Sequence, residues 1–268
     1  MKRTEQRNPN SMNIDKMSAL EIAKCMNNED KTVAFAVEKA LPEIAKTIEM
    51  VVESFNKGGR LLLIGAGTSG RLGIIDATEC PPTYGEPAEK VVGIMAGGRD
   101  AVFKASENGE DMGSMGVEDV KRENICEKDT LIGISVAGNA MYVKEALVYA
   151  KSVGAKTVAL TCNEDALIAK VSDIAIVTDT GAEVVTGSTR LKAGTAHKLV
   201  LNTITTGSMV MTGHVIENHM VNMKPTNIKL KERAARIISD IAGIDLEKAR
   251  TEVATGASIR EILVKYGK

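Results

Sequence analysis

Tryptophan is absent from this 268-residue chain, and only 3% of it is aromatic. Proteins that hold single-stranded nucleic acid stack bases on such rings, so that class has little to work with here. Net charge is −1, from 34 Lys and Arg against 35 Asp and Glu. That balance removes any bulk attraction for nucleic acid or an anionic membrane. No apolar run approaches the roughly 20 residues of a membrane span. The basic start Met1-Lys2-Arg3 runs into Thr4-Glu5-Gln6-Arg7-Asn8, with no apolar signal core. The four cysteines, Cys25, Cys80, Cys126 and Cys162, are scattered and lack metal-ligand spacing. His197, His214 and His219 show no zinc arrangement. The expectation is a cytoplasmic protein with reduced thiols and no metal, binding neither nucleic acid nor membrane.

What is present is ordinary globular material, 44% hydrophobic and 26% charged. Ser18-Ala19-Leu20-Glu21 reads as a capping box opening a helix. Apolar residues then recur at helical spacing over residues 30–57, with Pro42 placed to divide the stretch and Gly58-Gly59 to end it. Five short apolar runs follow, at residues 61–64, 91–95, 131–135, 157–160 and 174–177. Each is nearly continuous, as strands buried on both faces are. Helical patterns separate them, so the sequence predicts an α/β fold with a five-stranded parallel, doubly wound sheet. Helical extensions flank it, giving an N-terminal part (1–57), a central ligand-binding domain (58–215) and C-terminal helices (216–268). Ligands in such folds sit at the carboxyl ends of the strands.

Gly65-Ala66-Gly67-Thr68-Ser69-Gly70 follows the first strand and matches the dinucleotide fingerprint literally. The second strand, however, runs into Ala96-Gly97-Gly98 with no acid for a ribose. Thr68 and Ser69 instead place two hydroxyls beside backbone amides at a helix start, a phosphate cradle; a tight turn with incidental hydroxyls is the equal alternative. Two prolines after Glu79, at Pro81 and Pro82, are expected to stop that helix and hold the carboxylate in place. A run of acids, Glu107, Glu110 and Asp111, comes after the second strand. It is either a solvated face or one half of an acid–base pair. Ser135 offers the one hydroxyl after the third strand. Residues 186–195 carry four hydroxyls and two cations, with Ser188 and Thr189 either gripping an anion or capping the long helix over residues 191–213.

Together these pieces resemble the N-acetylmuramic acid 6-phosphate etherases, of the sugar isomerase (SIS) fold shared with glucokinase regulatory protein. The resemblance covers roughly residues 4–241. It is carried by Thr4-Glu5-Gln6-Arg7-Asn8-Pro9, by residues 65–73 and 76–85, by Ala96-Gly97-Gly98, by Glu110-Asp111, and by residues 183–196. It implies a cofactor-independent lyase acting on a sugar phosphate. Glu79 matches the family's acid and Glu110 its base; Glu107 exchanges with Glu110 if the spacing slips. Thr68, Ser69, Ser135, Ser188 and Thr189 are then the substrate-binding residues, in a homodimer with the site at its interface.

Two departures stand out against that family. Its usual Ser-Gly-Arg-Thr-Pro-Tyr after the third strand is here Ala137-Gly138-Asn139-Ala140-Met141-Tyr142. Hydrogen bonds to a charged phosphate are worth about 1.5–3 kcal/mol each, so the missing hydroxyls need substitutes. The family's small C-terminal helical domain is also shortened. A non-catalytic sugar-phosphate sensor, or an enzyme for another acid sugar, is the alternative. Ser135 and the loop's backbone N–H groups converging on an anion with Thr68 or Ser69 favour the etherase; Asn139 or Met141 filling that space favours the sensor.

Overall fold

The computed structural model describes residues 3–104 and 109–268. After three single-turn 3-10 helices (Arg3–Glu5, Pro9–Ser11 and Ile14–Lys16) come three α-helices, α1 (Ala19–Asp30), α2 (Val33–Glu38) and α3 (Leu41–Asn56). The central part runs β1 (Leu61–Gly65), α4 (Gly67–Tyr84), β2 (Val91–Met95), α5 (Gly98–Phe103), α6 (Gly113–Arg122), β3 (Thr130–Ile134), α7 (Met141–Ser152), β4 (Lys156–Thr161), α8 (Leu167–Val171), β5 (Ile174–Val177) and α9 (Lys192–Met211). A two-residue hairpin, β6 (Val215–Ile216) and β7 (His219–Met220), leads to α10 (Ile228–Ala242), α11 (Leu246–Ala254) and α12 (Ile259–Lys265).

The five long strands are parallel, in the order β2-β1-β3-β4-β5. The chain winds outward from β1 to β2 and then crosses back to β3. The loops after β1 and β3 therefore diverge, and a crevice opens between them at the carboxyl edge. Successive strand residues face opposite layers. Leu61, Leu63, Ile132, Ile134, Val158 and Leu160 pack with α2, α3, α4 and α9. Leu62, Ile64, Leu131 and Ala159 face the other way, toward α6, α7 and α8. Residues from Val33 to Phe55 thus contribute directly to the sheet's own core. The helices α10–α12 close over a separate cluster around Ile238, Ala249 and Leu263.

Local chemistry explains the boundaries. Ser18 and Glu21 form the expected reciprocal capping box. Pro42 sits in the first turn of α3, where its missing amide costs nothing. The prolines after Glu79 behave differently from expectation. Pro81 and Pro82 lie inside the last turn of α4, which continues to Tyr84. Their fixed φ suits a helix, and the loss of two amides is confined to the final turn. Gly85, at φ 71°, makes the stop, its N–H bonding the Pro81 carbonyl. Among the described residues, no helix is long and apolar enough to cross a membrane.

Candidate functional site

The glycines after β1 first set a shape. A side chain on Gly70 would drive its Cβ to 2.6 Å from the Gly65 carbonyl, so strand and helix meet at backbone contact. Gly67 turns at φ +54°, which other residues rarely adopt. The result starts α4 abruptly with Thr68 and Ser69 in its first turn. Ala66, the residue before the helix, has no side chain to cap it. The leading amides and the positive end of an 18-residue helix therefore face the crevice.

A pocket of about 240 Å³ occupies that crevice. Thr68 and Ser69 line one side; Ser135, Val136, Ala137 and Ala140 line the other. Asn139 and Met141 are not among the lining residues, so the space between the two loops stays open. Ser135 Oγ accepts the Gly138 N–H at 3.1 Å, which curls the third loop over its own serine. Glu110 is exposed and lines the same pocket. Its backbone carbonyl accepts the Tyr142 N–H at 3.0 Å, pinning the acid's segment to the start of α7. Upstream, the Arg71 guanidinium donates to the Val102 and Ala101 carbonyls at 2.8 and 2.7 Å. The arginine of the first loop is thus spent on anchoring the chain after β2. Among the described residues, no Lys or Arg lines the pocket.

Thr189 and Gly194 supply a further wall. Neither Ser188 nor Thr189 caps α9. That task falls to Glu183, fully buried, whose two carboxylate oxygens accept the N–H groups of Lys192 and Ala193 at 3.0 and 2.9 Å. Burial pushes the Glu183 carboxyl up, against those two amides and the Lys192 charge. The amides at the start of α9 are therefore already satisfied within the chain, and an anion has to rely on α4. Ser188 lies outside the pocket lining.

Glu79 lies on the exposed side of α4, outside the lining. Eleven residues separate it from Thr68, about three turns, so the two share a helix face roughly 16 Å apart along the axis. One copy of the chain does not bring Glu79 and Glu110 together. Glu107, the alternative to Glu110, lies outside the described residues. Asp76, one turn before Glu79, is buried against α9 instead. Its Oδ1 accepts from Asn202 Nδ2 and from Thr205 Oγ1, and burial raises its carboxyl above the usual range.

Two features of the site had no signal in the sequence. One is His197, which lines the pocket from α9. The other is the anchoring of the first polar residues. Asn8 Nδ2 donates to Glu29 Oε2 (2.8 Å) and to the Ala182 carbonyl (3.1 Å), and Ser11 Oγ donates to the Val184 carbonyl (2.7 Å). Arg3 pairs with Asp179. The first polar residues of the chain thus form a clasp on the loop leading into α9. Among the described residues, no group of three His, Cys, Asp or Glu side chains is arranged to hold a metal ion.

Comparison with known proteins agrees with this architecture. Residues 43–151 match the model of the glucokinase regulatory protein N-terminal SIS domain, and residues 112–206 match that of the SIS domain. Among solved structures, a phosphoheptose isomerase from Francisella tularensis superposes with a TM-score of 0.55 at 16% identity, over 72% of this chain and 100% of that one. One from Neisseria gonorrhoeae gives 0.54 at 19% identity, over 70% and 96%. These likenesses establish the fold. Much closer in sequence is the N-acetylmuramic acid 6-phosphate etherase of Clostridium beijerinckii, 55% identical over 92% of this chain and 81% of that protein. The etherase of Actinobacillus pleuropneumoniae serotype 5b is 53% identical over 90% and 80%. At such identity over nearly the whole length, the chain belongs to the N-acetylmuramic acid 6-phosphate etherase family.

Proposed function

We propose that this protein is a cytoplasmic carbon–oxygen lyase that converts N-acetylmuramic acid 6-phosphate to N-acetylglucosamine 6-phosphate and D-lactate. The observation that carries the reading is the one pocket lined by Thr68, Ser69, Ser135, Thr189 and Glu110. Its donors are neutral and gather at an uncapped helix start, which suits a phosphate dianion. The open third loop supports catalysis over the sensor alternative.

In the reading, the phosphate rests against the first turn of α4, and the ring-opened sugar extends past Glu110. The C2 proton is acidic because it adjoins the aldehyde. Glu110 removes it, the C3–O bond of the lactyl ether breaks, and Glu79 gives a proton to the departing oxygen. Water then adds across the new double bond at C3, and no cofactor is required. Because Glu79 stands on an open helix face in a single copy, the acid comes from a second copy, making the working unit a homodimer. Ile75, one turn before Glu79 on that face, is 56% exposed, an apolar surface fit for such a contact.

Incubation with N-acetylmuramic acid 6-phosphate, with lactate measured enzymatically, tests this directly. Lactate release that Glu79→Ala and Glu110→Ala each lower by at least about a hundredfold is the expected result. Sugar-phosphate binding without lactate from the unaltered protein overturns it in favour of a sensor.

A further inference from the structure

Among the described residues, Glu110 is the one carboxylate that lines the pocket. Its side chain makes no hydrogen bond or ion pair among those residues. The place of the carboxylate is therefore set by the backbone that carries it. Only Asp111 and Met112 separate Glu110 from Gly113, the first residue of α6, so a shift of α6 carries Glu110 with it.

Tyr142, the second residue of α7 and fully buried, holds this segment at three points. Its N–H donates to the Glu110 carbonyl at 3.0 Å. Its own carbonyl lies so close to Gly116 that a Cβ there would come within 2.0 Å of the oxygen, so α6 and α7 meet at backbone contact. Its hydroxyl donates to Asp119 Oδ2 at 2.6 Å, well inside α6. The other Asp119 oxygen accepts from Arg122 Nη1 at 2.8 Å, which leaves Oδ2 to the phenol. Burial and the Asp119 charge both push the phenol up, so it stays protonated and remains a donor. The first two contacts are made by backbone, and any side chain at position 142 permits them. The third needs a tyrosine. Hydrogen bonds to an ionised acceptor are about twice as strong as neutral ones, and this one ties α6 to the start of α7 from the buried side.

We propose that Tyr142 is a positioning residue: its hydroxyl, bonded to Asp119, fixes α6 on α7 and so sets where the Glu110 carboxylate stands over the pocket. The proposal rests on Glu110 being the base of the lyase reaction. It gives the start of α7 a task in proton removal, separate from the holding of phosphate by α4 and Ser135.

The test measures kcat and KM for lactate release from N-acetylmuramic acid 6-phosphate, with circular dichroism and thermal midpoints showing that each variant is folded at the assay temperature. Tyr142→Phe keeps the ring and removes only the hydroxyl. It should lower kcat about ten- to a hundredfold, the order that a misplaced reacting group costs, at little-changed KM. Asp119→Ala should show the same split. The two changes together should lose no more than either alone, because both remove one bond. Asp119→Asn, which keeps an oxygen acceptor for the phenol, should recover most of kcat. A folded Tyr142→Phe with the parent's kcat makes the tyrosine a core residue only, and the lyase reading stands. A raised KM with kcat unchanged also overturns the proposal, because the hydroxyl then shapes binding instead. Should Tyr142→Phe fail to fold, Asp119→Ala and Asp119→Asn decide between the same outcomes. Full lactate release by Glu110→Ala, or none from the unaltered protein, overturns the lyase reading and the proposal with it.

Discussion

Lys192 and Glu29, 163 positions apart, meet in a buried ion pair, Nζ lying 2.6 Å from Oε2. Glu29 also takes the side-chain amides of Asn8 and Asn10, at 2.8 and 2.7 Å. Lys192 opens α9, directly after the loop that presents Thr189 to the pocket. The first polar residues of the chain are thereby connected to a pocket wall through one carboxylate.

Breaking this pair from one side leaves an uncompensated buried charge, which costs about 3–5 kcal/mol. Lys192→Met should lower the urea unfolding free energy by that order. The double change Lys192→Met with Glu29→Leu should recover much of the loss. A Lys192→Met protein as stable as the parent would show that the pair contributes nothing.

The same carboxylate predicts a pH dependence. Burial alone would raise Glu29, but the hydrogen bonds from Lys192, Asn10 and Asn8 outweigh it and hold the group below its ordinary 4.5. A carboxyl lowered in the folded state stabilises above its unfolded value, and that stability is lost as pH falls through the folded value. Unfolding midpoints measured downward from pH 5 should fall more steeply for the parent than for Glu29→Gln.

Asp76 has the opposite sign. Burial raises its carboxyl above 3.8, and its Oδ2 has no partner among the described residues. The folded chain then holds a proton that the unfolded chain has released, so stability drops as pH rises from about 4 through the raised value. Asp76→Asn keeps an acceptor for Asn202 and Thr205 and removes the buried charge. It should equal or exceed the parent in stability at pH 7, and lose that advantage near pH 3. Equal pH profiles for the two proteins would refute this.

If each site takes Glu110 from one copy and Glu79 from the other, two dead variants complement. Glu79→Ala mixed with Glu110→Ala, after subunit exchange, gives hybrid dimers with one intact site. Activity should return to roughly a quarter of the parent level in a random mixture. No recovery in a mixture shown to have exchanged subunits would mean that both acids act within one copy.

Ser135 has two jobs to lose. Its Oγ accepts the Gly138 N–H and faces the pocket. Ser135→Ala should raise KM for the sugar phosphate about tenfold or more, while Ser188→Ala, outside the lining, should change KM little.

The strands, their parallel pairing and the glycine turn after the first strand were legible in the sequence, because a strand buried on both faces must be continuously apolar and an abrupt helix start needs glycine at 65, 67 and 70. Thr68, Ser69, Ser135 and Thr189 line one pocket, although loop chemistry alone left incidental hydroxyls or a helix cap as the alternative and the family resemblance singled them out. The segment Asn8–Glu29–Lys192 was not legible, since no local pattern reveals which polar residues 163 positions apart will be buried together. Nor was the role of Glu183, which caps the helix start for which Ser188 and Thr189 were one candidate. His197 was noted in the chain only as one of three histidines without zinc spacing, and its place beside the pocket was not legible. Local rules of periodicity and turn chemistry act over a few residues, and they determined the elements of this protein. Which carboxylate faces solvent and which caps a helix depend on long-range packing, and only the tertiary structure decided them.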